Sequence, residues 1–166
     1  MAKVTTFEEL AMHGLKDIYS AEHQIIAALP EMRKAATSPE LKASFDLHLT
    51  QTKHQVERLE KIFKKMNEAP GGVTCKAAQG LIAEAKENIK EIEAGPLLDA
   101  ALIGSAQRVE HYEIAAYGTA RTFAQQLGDT EAVALLEETL KEEEATDKKL
   151  TQVALSVVNP KAGQEK

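Results

Sequence analysis

Apolar residues recur along most of this chain at three- and four-residue intervals, the spacing that keeps them on one face of an α-helix. No stretch alternates with period two for long enough to suggest a sheet. The first predicted helix runs from Thr6 to Leu29 with a stripe of Phe7, Leu10, Gly14, Ile18, Ile25 and Leu29. Thr6 and Glu9 have capping-box spacing at its start, and Pro30 is expected to end it. A second helix begins at Ser38-Pro39, with serine as cap and proline in the first turn, and reaches Asn67. Leu41, Phe45, Leu49, Val56, Leu59 and Phe63 form its apolar side. A shorter amphipathic helix, Thr74 to Ala94, lies between the Pro70-Gly71-Gly72 and Gly95-Pro96 breaks. A third long helix spans Leu97 to Gln126, ended by Gly128. The fourth, Thr130 to Val158, carries Val133, Leu136, Leu140, Leu150, Val153 and Val157. The bundle is thus expected over residues 1–158, with 159–166 as a polar, frayed tail.

Short loops make helices one and two, and three and four, antiparallel pairs. The long link from Asn67 to Leu97 contains its own helix. Two hairpins joined by one long crossover are the ferritin-like version of the four-helix bundle, so the predicted fold is all-α with a fifth, shorter helix in the crossover.

Carboxylates interrupt the apolar stripes. Glu110 and Glu113 share a face of the third long helix, between Ala106 and Tyr117. Glu22 falls among Ile18, Ile25 and Ile26, while Glu143 and Asp147 sit one turn apart in the middle of the fourth stripe. A buried unpaired carboxylate is costly, and protonation, a cation or a metal ion relieves it. Either these groups lie at the solvated edge of their stripes or they face a ligand.

The two halves share a short pattern. Glu22-His23-Gln24-Ile25-Ile26-Ala27-Ala28 aligns with Glu110-His111-Tyr112-Glu113-Ile114-Ala115-Ala116, so the anomalous glutamates coincide. Extending the pairing sets Gln51 against Glu143 and Gln55 against Asp147. The candidate metal set is therefore Glu22, Glu110, Glu113, Glu143 and Asp147, with Gln51, Gln55 and His48 opposite. Such an oxygen-rich set suits iron or manganese. Dinuclear carboxylate bundles draw a Glu from each of two helices and Glu-x-x-His from each of the others. This chain is poorer in histidine and puts Gln where a second-helix Glu is expected.

Among the histidines, His54 is expected to face water, and His23 and His111 to lie beside the site or at the surface rather than to ligate. His48, next to Phe45 and Thr52, reads as a core histidine with its hydrogen bonds satisfied; His13 has no identifiable partner. Cys75 opens the crossover helix, where a helix N-terminus can lower a thiol pKa, but nothing nearby resembles the partners of a nucleophile.

Composition narrows the classes. With 166 residues the chain suffices for one core-bearing domain. A balance of 26 acidic against 20 basic side chains, net −6, disfavours nucleic acid as partner. No Gly-rich phosphate loop is present, and no apolar run is long enough for a bilayer. A lone cysteine and an N-terminus without an apolar signal core make a soluble, cytoplasmic protein the expectation.

At these residues the chain resembles the bacterial ferritin-like stress-protein family YciE/YciF. The resemblance runs through Leu15-Lys-Asp-Ile-Tyr-Ser-Ala-Glu-His-Gln24, His48-Leu49, Gln55-Val-Glu-Arg-Leu-Glu60 and Asp99-Ala-Ala-Leu-Ile103. It is most specific at Val109-Glu-His-Tyr-Glu-Ile-Ala115, Tyr117-Gly118, Glu142-Glu143 and Ala145-Thr-Asp147-Lys148. It implies a rubrerythrin-related bundle with a dinuclear metal-type site, a link to stress responses and a homodimer. Glu22, Glu110, Glu113, Glu143 and Asp147 match the family's candidate site positions. Where the family tends to carry Glu-Glu-Thr, this chain has Thr50-Gln51-Thr52, which admits a mononuclear or vestigial site. Two functions follow: a metal-binding protein acting on oxygen or peroxide, or a non-enzymatic, oligomeric stress protein with a degenerate site.

Overall fold

A computed structural model describes residues 3–164. They form α1 (Phe7–Ala35), α2 (Pro39–Lys65), α3 (Lys76–Glu91), α4 (Pro96–Gln126) and α5 (Thr130–Val153). A π-helical turn (Ala154–Val158) and a short α6 (Asn159–Ala162) follow. No strand occurs among the described residues, and none of their helices is long and apolar enough to cross a membrane. The hairpins α1–α2 and α4–α5 pack through their α2–α5 and α1–α4 faces, and α3 lies over α1 and α4. This is the ferritin-like bundle with a helical crossover.

Local chemistry accounts for most boundaries. The Thr6 hydroxyl accepts from Glu9 N–H at 3.1 Å while the Glu9 carboxylate accepts from Thr6 N–H at 3.1 Å, so the capping box is complete. Ser38 caps α2 through Leu41 N–H, with Pro39 in the first turn. Gly128, at φ +74°, supplies the left-handed residue that closes α4. Asp129 then caps α5 by accepting from Ala132 N–H at 3.0 Å.

Three expectations are corrected. α1 does not stop at Pro30 but continues to Ala35. The proline ring faces solvent and forfeits one backbone bond, and continuing the helix buries Met32 and leads Ala36 into the core. Phe7 and Leu10, assigned to the stripe, are 38% and 43% exposed, because the buried face of this stretch runs through Ala11, Leu15 and Ile18; Phe7 rests on the Phe123 ring instead. The tail is not frayed from residue 159. The chain coils on through α6, and Val158 and Ala162 bury against the core. Residues 165 and 166 of the expected tail lie outside the described residues.

Asp99, on the first turn of α4, ties the α1–α2 loop to the α4–α5 hairpin. Its buried carboxylate accepts from Thr37 N–H and Oγ1, both at 2.7 Å, and from Ser38 N–H at 2.8 Å. Asp99→Ala leaves two backbone donors without acceptors. A loss of about 2–3 kcal/mol is expected, read as a lower urea midpoint at unchanged slope.

Apart from a small cluster of Ala21, Cys75 and Ala78 under the crossover, the core divides into two apolar layers. Ile25, Leu29, Phe45, Leu102, Leu150 and Val153 belong to one, and Leu15, Ile18, Leu59, Phe63, Tyr117 and Leu136 to the other. Between them every long helix contributes polar side chains.

Candidate metal centre

The polar belt is built by the interruptions in the stripes. α1 supplies Glu22 between Ile18 and Ile25, α2 supplies His48 and Gln55 between Phe45 and Leu59, α4 supplies Glu110 and Glu113, and α5 supplies Glu143; all six are buried. One ligand atom each from His48, Glu110, Glu113 and Glu143 falls within a group spanning at most 4.8 Å. Ligands about 2.1 Å from one ion stand up to about 4.2 Å apart across it, so a small contraction would complete a first coordination set. His48 Nε2 lies 3.4 Å from Glu110 Oε1 and 3.8 Å from Glu113 Oε2.

Hydrogen bonds orient the rim and leave the centre free. The Tyr117 hydroxyl donates to Glu22 Oε1, and Oε2 of that carboxylate has no partner. The Gln55 amide donates to Glu143 Oε1 and, at 3.0 Å, to Glu142 Oε2. Arg58 forks onto Glu142 at 2.7 and 2.8 Å, fixing the carboxylate that turns the amide toward Glu143. Both nitrogens of His48, both oxygens of Glu113, and one oxygen each of Glu110 and Glu143 have no hydrogen-bond partner. Buried polar atoms in folded proteins are nearly always satisfied, so a concentration of orphans demands an explanation.

No lysine or arginine among the described residues pairs with Glu22, Glu110, Glu113 or Glu143. The carboxylates therefore repel one another in a desolvated space. Burial, then the charge of Glu143, pushes Glu22 up to about 8. The same two causes, in the same order, hold Glu110 and Glu113 well above the ordinary carboxylate range. Burial pushes the His48 imidazole below its ordinary value, which favours the neutral, ligating form. A hard divalent cation relieves all of this at once.

Four predicted members lie outside the group of four, and two of them, Gln51 and Asp147, turn away from it. Gln51 is half-buried, its Oε1 accepting from Thr146 Oγ1 at 3.5 Å. Asp147 is half-buried as well, accepting from Gln107 Nε2 at 3.0 Å and lying 3.3 Å from His111 Nε2. Glu22 and Gln55 touch the group from its edge. His48 corrects an expectation: it is a core histidine, but its hydrogen bonds are not satisfied. Its neighbours in sequence gave no sign of this, since the carboxylates that face it come from α4 and α5. His13, His23, His54 and His111 are exposed, as anticipated for His54. At Cys75, read as incidental, burial pushes the thiol up, outweighing the helix N-terminus it caps, and its Sγ lies 3.0 Å from the Tyr112 hydroxyl.

A four-helix bundle with a crossover helix and a buried, carboxylate-rich belt belongs to the ferritin-like class. Within that class, the chain belongs to the family described as "Domain of unknown function (DUF892)", which matches residues 6–163. Protein YciF of Escherichia coli (strain K12) is 46% identical over 158 residues, 95% of each chain, in agreement with the YciE/YciF resemblance. The crystal structure of the E. coli stress protein YciF superposes with a TM-score of 0.91 at 45% identity, covering 95% of this chain and 100% of that one. YcfI from Rhodopseudomonas palustris gives 0.89 at 47% identity, covering 92% and 97%. A ferritin-like, diiron-carboxylate protein from Bacillus anthracis str. Ames shares the fold at a TM-score of 0.70 and 16% identity, covering 90% and 99%.

Proposed function

We propose that this protein binds iron or manganese at the bundle centre, with His48, Glu110, Glu113 and Glu143 as the primary ligands and Glu22 and Gln55 at their edge. One observation carries the reading. Among the described residues, every buried side-chain polar atom without a hydrogen bond, Arg121 Nε apart, belongs to these six residues. Three carboxylates and one imidazole form a hard donor set with room for a borderline nitrogen ligand, the chemistry of iron and manganese sites. Since the four converge on a single point, one tightly held ion per chain is the expected stoichiometry. A second ion would depend on Glu22, Gln55 and the more distant Gln51 and Asp147.

A bound ion of this kind supplies one-electron redox chemistry toward oxygen or peroxide. The chain's own part is to set the ligands. Tyr117 fixes Glu22, the Arg58–Glu142 pair fixes the Gln55 amide against Glu143, and the apolar layers above and below exclude water from the belt. We infer a stress-related role in line with the E. coli stress protein YciF, and a homodimer from the YciE/YciF resemblance alone. The Thr50-Gln51-Thr52 departure favours a second reading, in which the carboxylates share protons and the protein works through an exposed helical face.

Thermal unfolding with added manganese(II) or anaerobic iron(II) tests the proposal. Free metal at a hundredfold excess over Kd should stabilise the folded state by about 2.7 kcal/mol. His48→Leu should shift the metal concentration required upward by tenfold or more, on the order of the loss expected for a ligand contact. An unchanged titration would remove the imidazole from the ligand set, and no metal-dependent shift in the wild type would overturn the reading.

A further inference from the structure

We propose that divalent cations reach the carboxylate belt through the seam between α2 and α5, with Arg58 as the gate. The proposal rests on the metal-centre reading and adds to it the route by which an ion arrives. From Gln51 to Arg58, about two turns, the side chains bonded across this seam are polar. Gln51 Oε1 lies 3.5 Å from Thr146 Oγ1, and the Gln55 amide donates to Glu142 and Glu143. Arg58 donates to Glu138 at 2.6 Å, to both oxygens of Glu142 at 2.7 and 2.8 Å, and to Thr139 Oγ1 at 3.2 Å.

Exposure falls inward along the same residues. The side chain of Glu138 is 59% exposed, Glu142 22% and Arg58 11%, while Gln55 and Glu143 are fully buried. Hydrogen bonds thus run unbroken from a carboxylate in water to a proposed ligand. Among the described residues, the other hydrogen bond to a belt carboxylate comes from Tyr117, inside an apolar layer. At the α4–α5 seam Gln107 bonds to Asp147 and Thr151, and none of the three bonds to the belt. A dication crossing hydrocarbon would lose its water with nothing in return. In the α2–α5 seam, oxygens replace that water in turn: Glu138, Glu142, then Gln55 Oε1, which is buried and has no partner. Arg58 stands in the way. Its guanidinium covers both Glu142 oxygens, so an entering ion must displace it, and exposed Glu138 retains it as it swings outward.

The test follows uptake of cobalt(II) by the full, metal-free chain in rapid-mixing absorbance, and release into a chelator as its reverse. Arg58→Met should speed both by about tenfold or more, since the bidentate pair that entry must break is gone. The gain should persist at about 0.5 M salt, where exposed charges are screened, because it comes from an opened seam and not from attraction. Arg58→Lys keeps the charge without the fork and should fall between. Gln107→Leu, on the α4–α5 seam, should leave uptake unchanged. Unchanged rates in both Arg58 variants, with cobalt still bound, overturn the route. So does an acceleration as large in Gln107→Leu. Failure of the metal reading would appear instead as no cobalt signal in any chain, which removes the route with it.

Discussion

Glu110→Leu should abolish metal binding while leaving a folded protein that is at least as stable as the metal-free wild type. The two effects arise from the same physical fact. Glu110 is 1% exposed, close to His48 and without a cationic partner, so its carboxylate helps the fold only when an ion is present. Replacing buried ionic groups by apolar residues of similar volume is often neutral or stabilising by about 1–4 kcal/mol. Removing one of four converging ligands, in contrast, should leave metal content at background and erase the metal dependence of the melting temperature. Metal analysis and thermal unfolding, each with and without added manganese, measure both. A leucine variant that unfolds more readily than the metal-free wild type, or still gains stability from manganese, would contradict the assignment.

Metal-free protein should lose stability as the pH rises, and metal-loaded protein should not. Glu22, Glu110 and Glu113 all have proton affinities raised above the ordinary value of 4.5, Glu22 to about 8. Between those limits the folded state binds more protons than the unfolded chain, so the stability these groups confer is full below 4.5 and lost as the pH climbs through the folded values. His48 acts in the opposite sense. Its lowered pKa gives stability that is present above 6.5 and lost as the pH falls below it. The window from 6.5 to 8 therefore reports the carboxylates alone. At about 1.4 kcal/mol per unit, Glu22 by itself accounts for about 2 kcal/mol across it. Urea unfolding in the presence of a chelator should show this decline. With the ion bound the carboxylates are ionised throughout, and the slope should flatten. A metal-free stability that is constant or rises across the window would contradict the picture of uncompensated buried carboxylates.

What the sequence revealed, and what it did not, follows from how local each signal is. The Thr6–Glu9 box, the Ser38-Pro39 start and the Gly128-Asp129 joint are settled by residues within one turn, and each appears in the structure as read. Glu22, Glu110, Glu113 and Glu143 stood out because they break an apolar period, and burial of all four reflects that same pattern. Pro30 misled because its cost is local, whereas the gain that carries α1 past it comes from Met32 and Ala36 meeting the rest of the core. Phe7 and Leu10 misled because a stripe drawn through large apolar residues passes over the small Ala11, which with Leu15 and Ile18 marks the buried face.

The site was harder to read in its second half. Pairing the two halves set Gln51 and Asp147 as equals of Gln55 and Glu143, yet the structure turns the first two toward Thr146, Gln107 and His111. A helix period locates a face only to within a fraction of a turn, and those positions fall on its flank. His48 was visible as a core residue, but its lack of partners was not. Whether a buried imidazole is satisfied depends on groups from other helices, and its nearest carboxylates, Glu110 and Glu113, are brought to it only when α2 and α4 face each other across the bundle. The dissatisfaction of the buried atoms, which carries the functional reading, is a property of the assembled bundle and has no one-dimensional trace.

Elemental analysis of the untagged protein, purified without chelators and compared with Glu110→Ala, tests the metal centre most directly. Near-stoichiometric iron or manganese in the wild type, at background in the variant, is the predicted result. Protein that remains free of metal after incubation with iron, manganese and zinc would contradict it and leave the buried carboxylates as a proton-sharing belt.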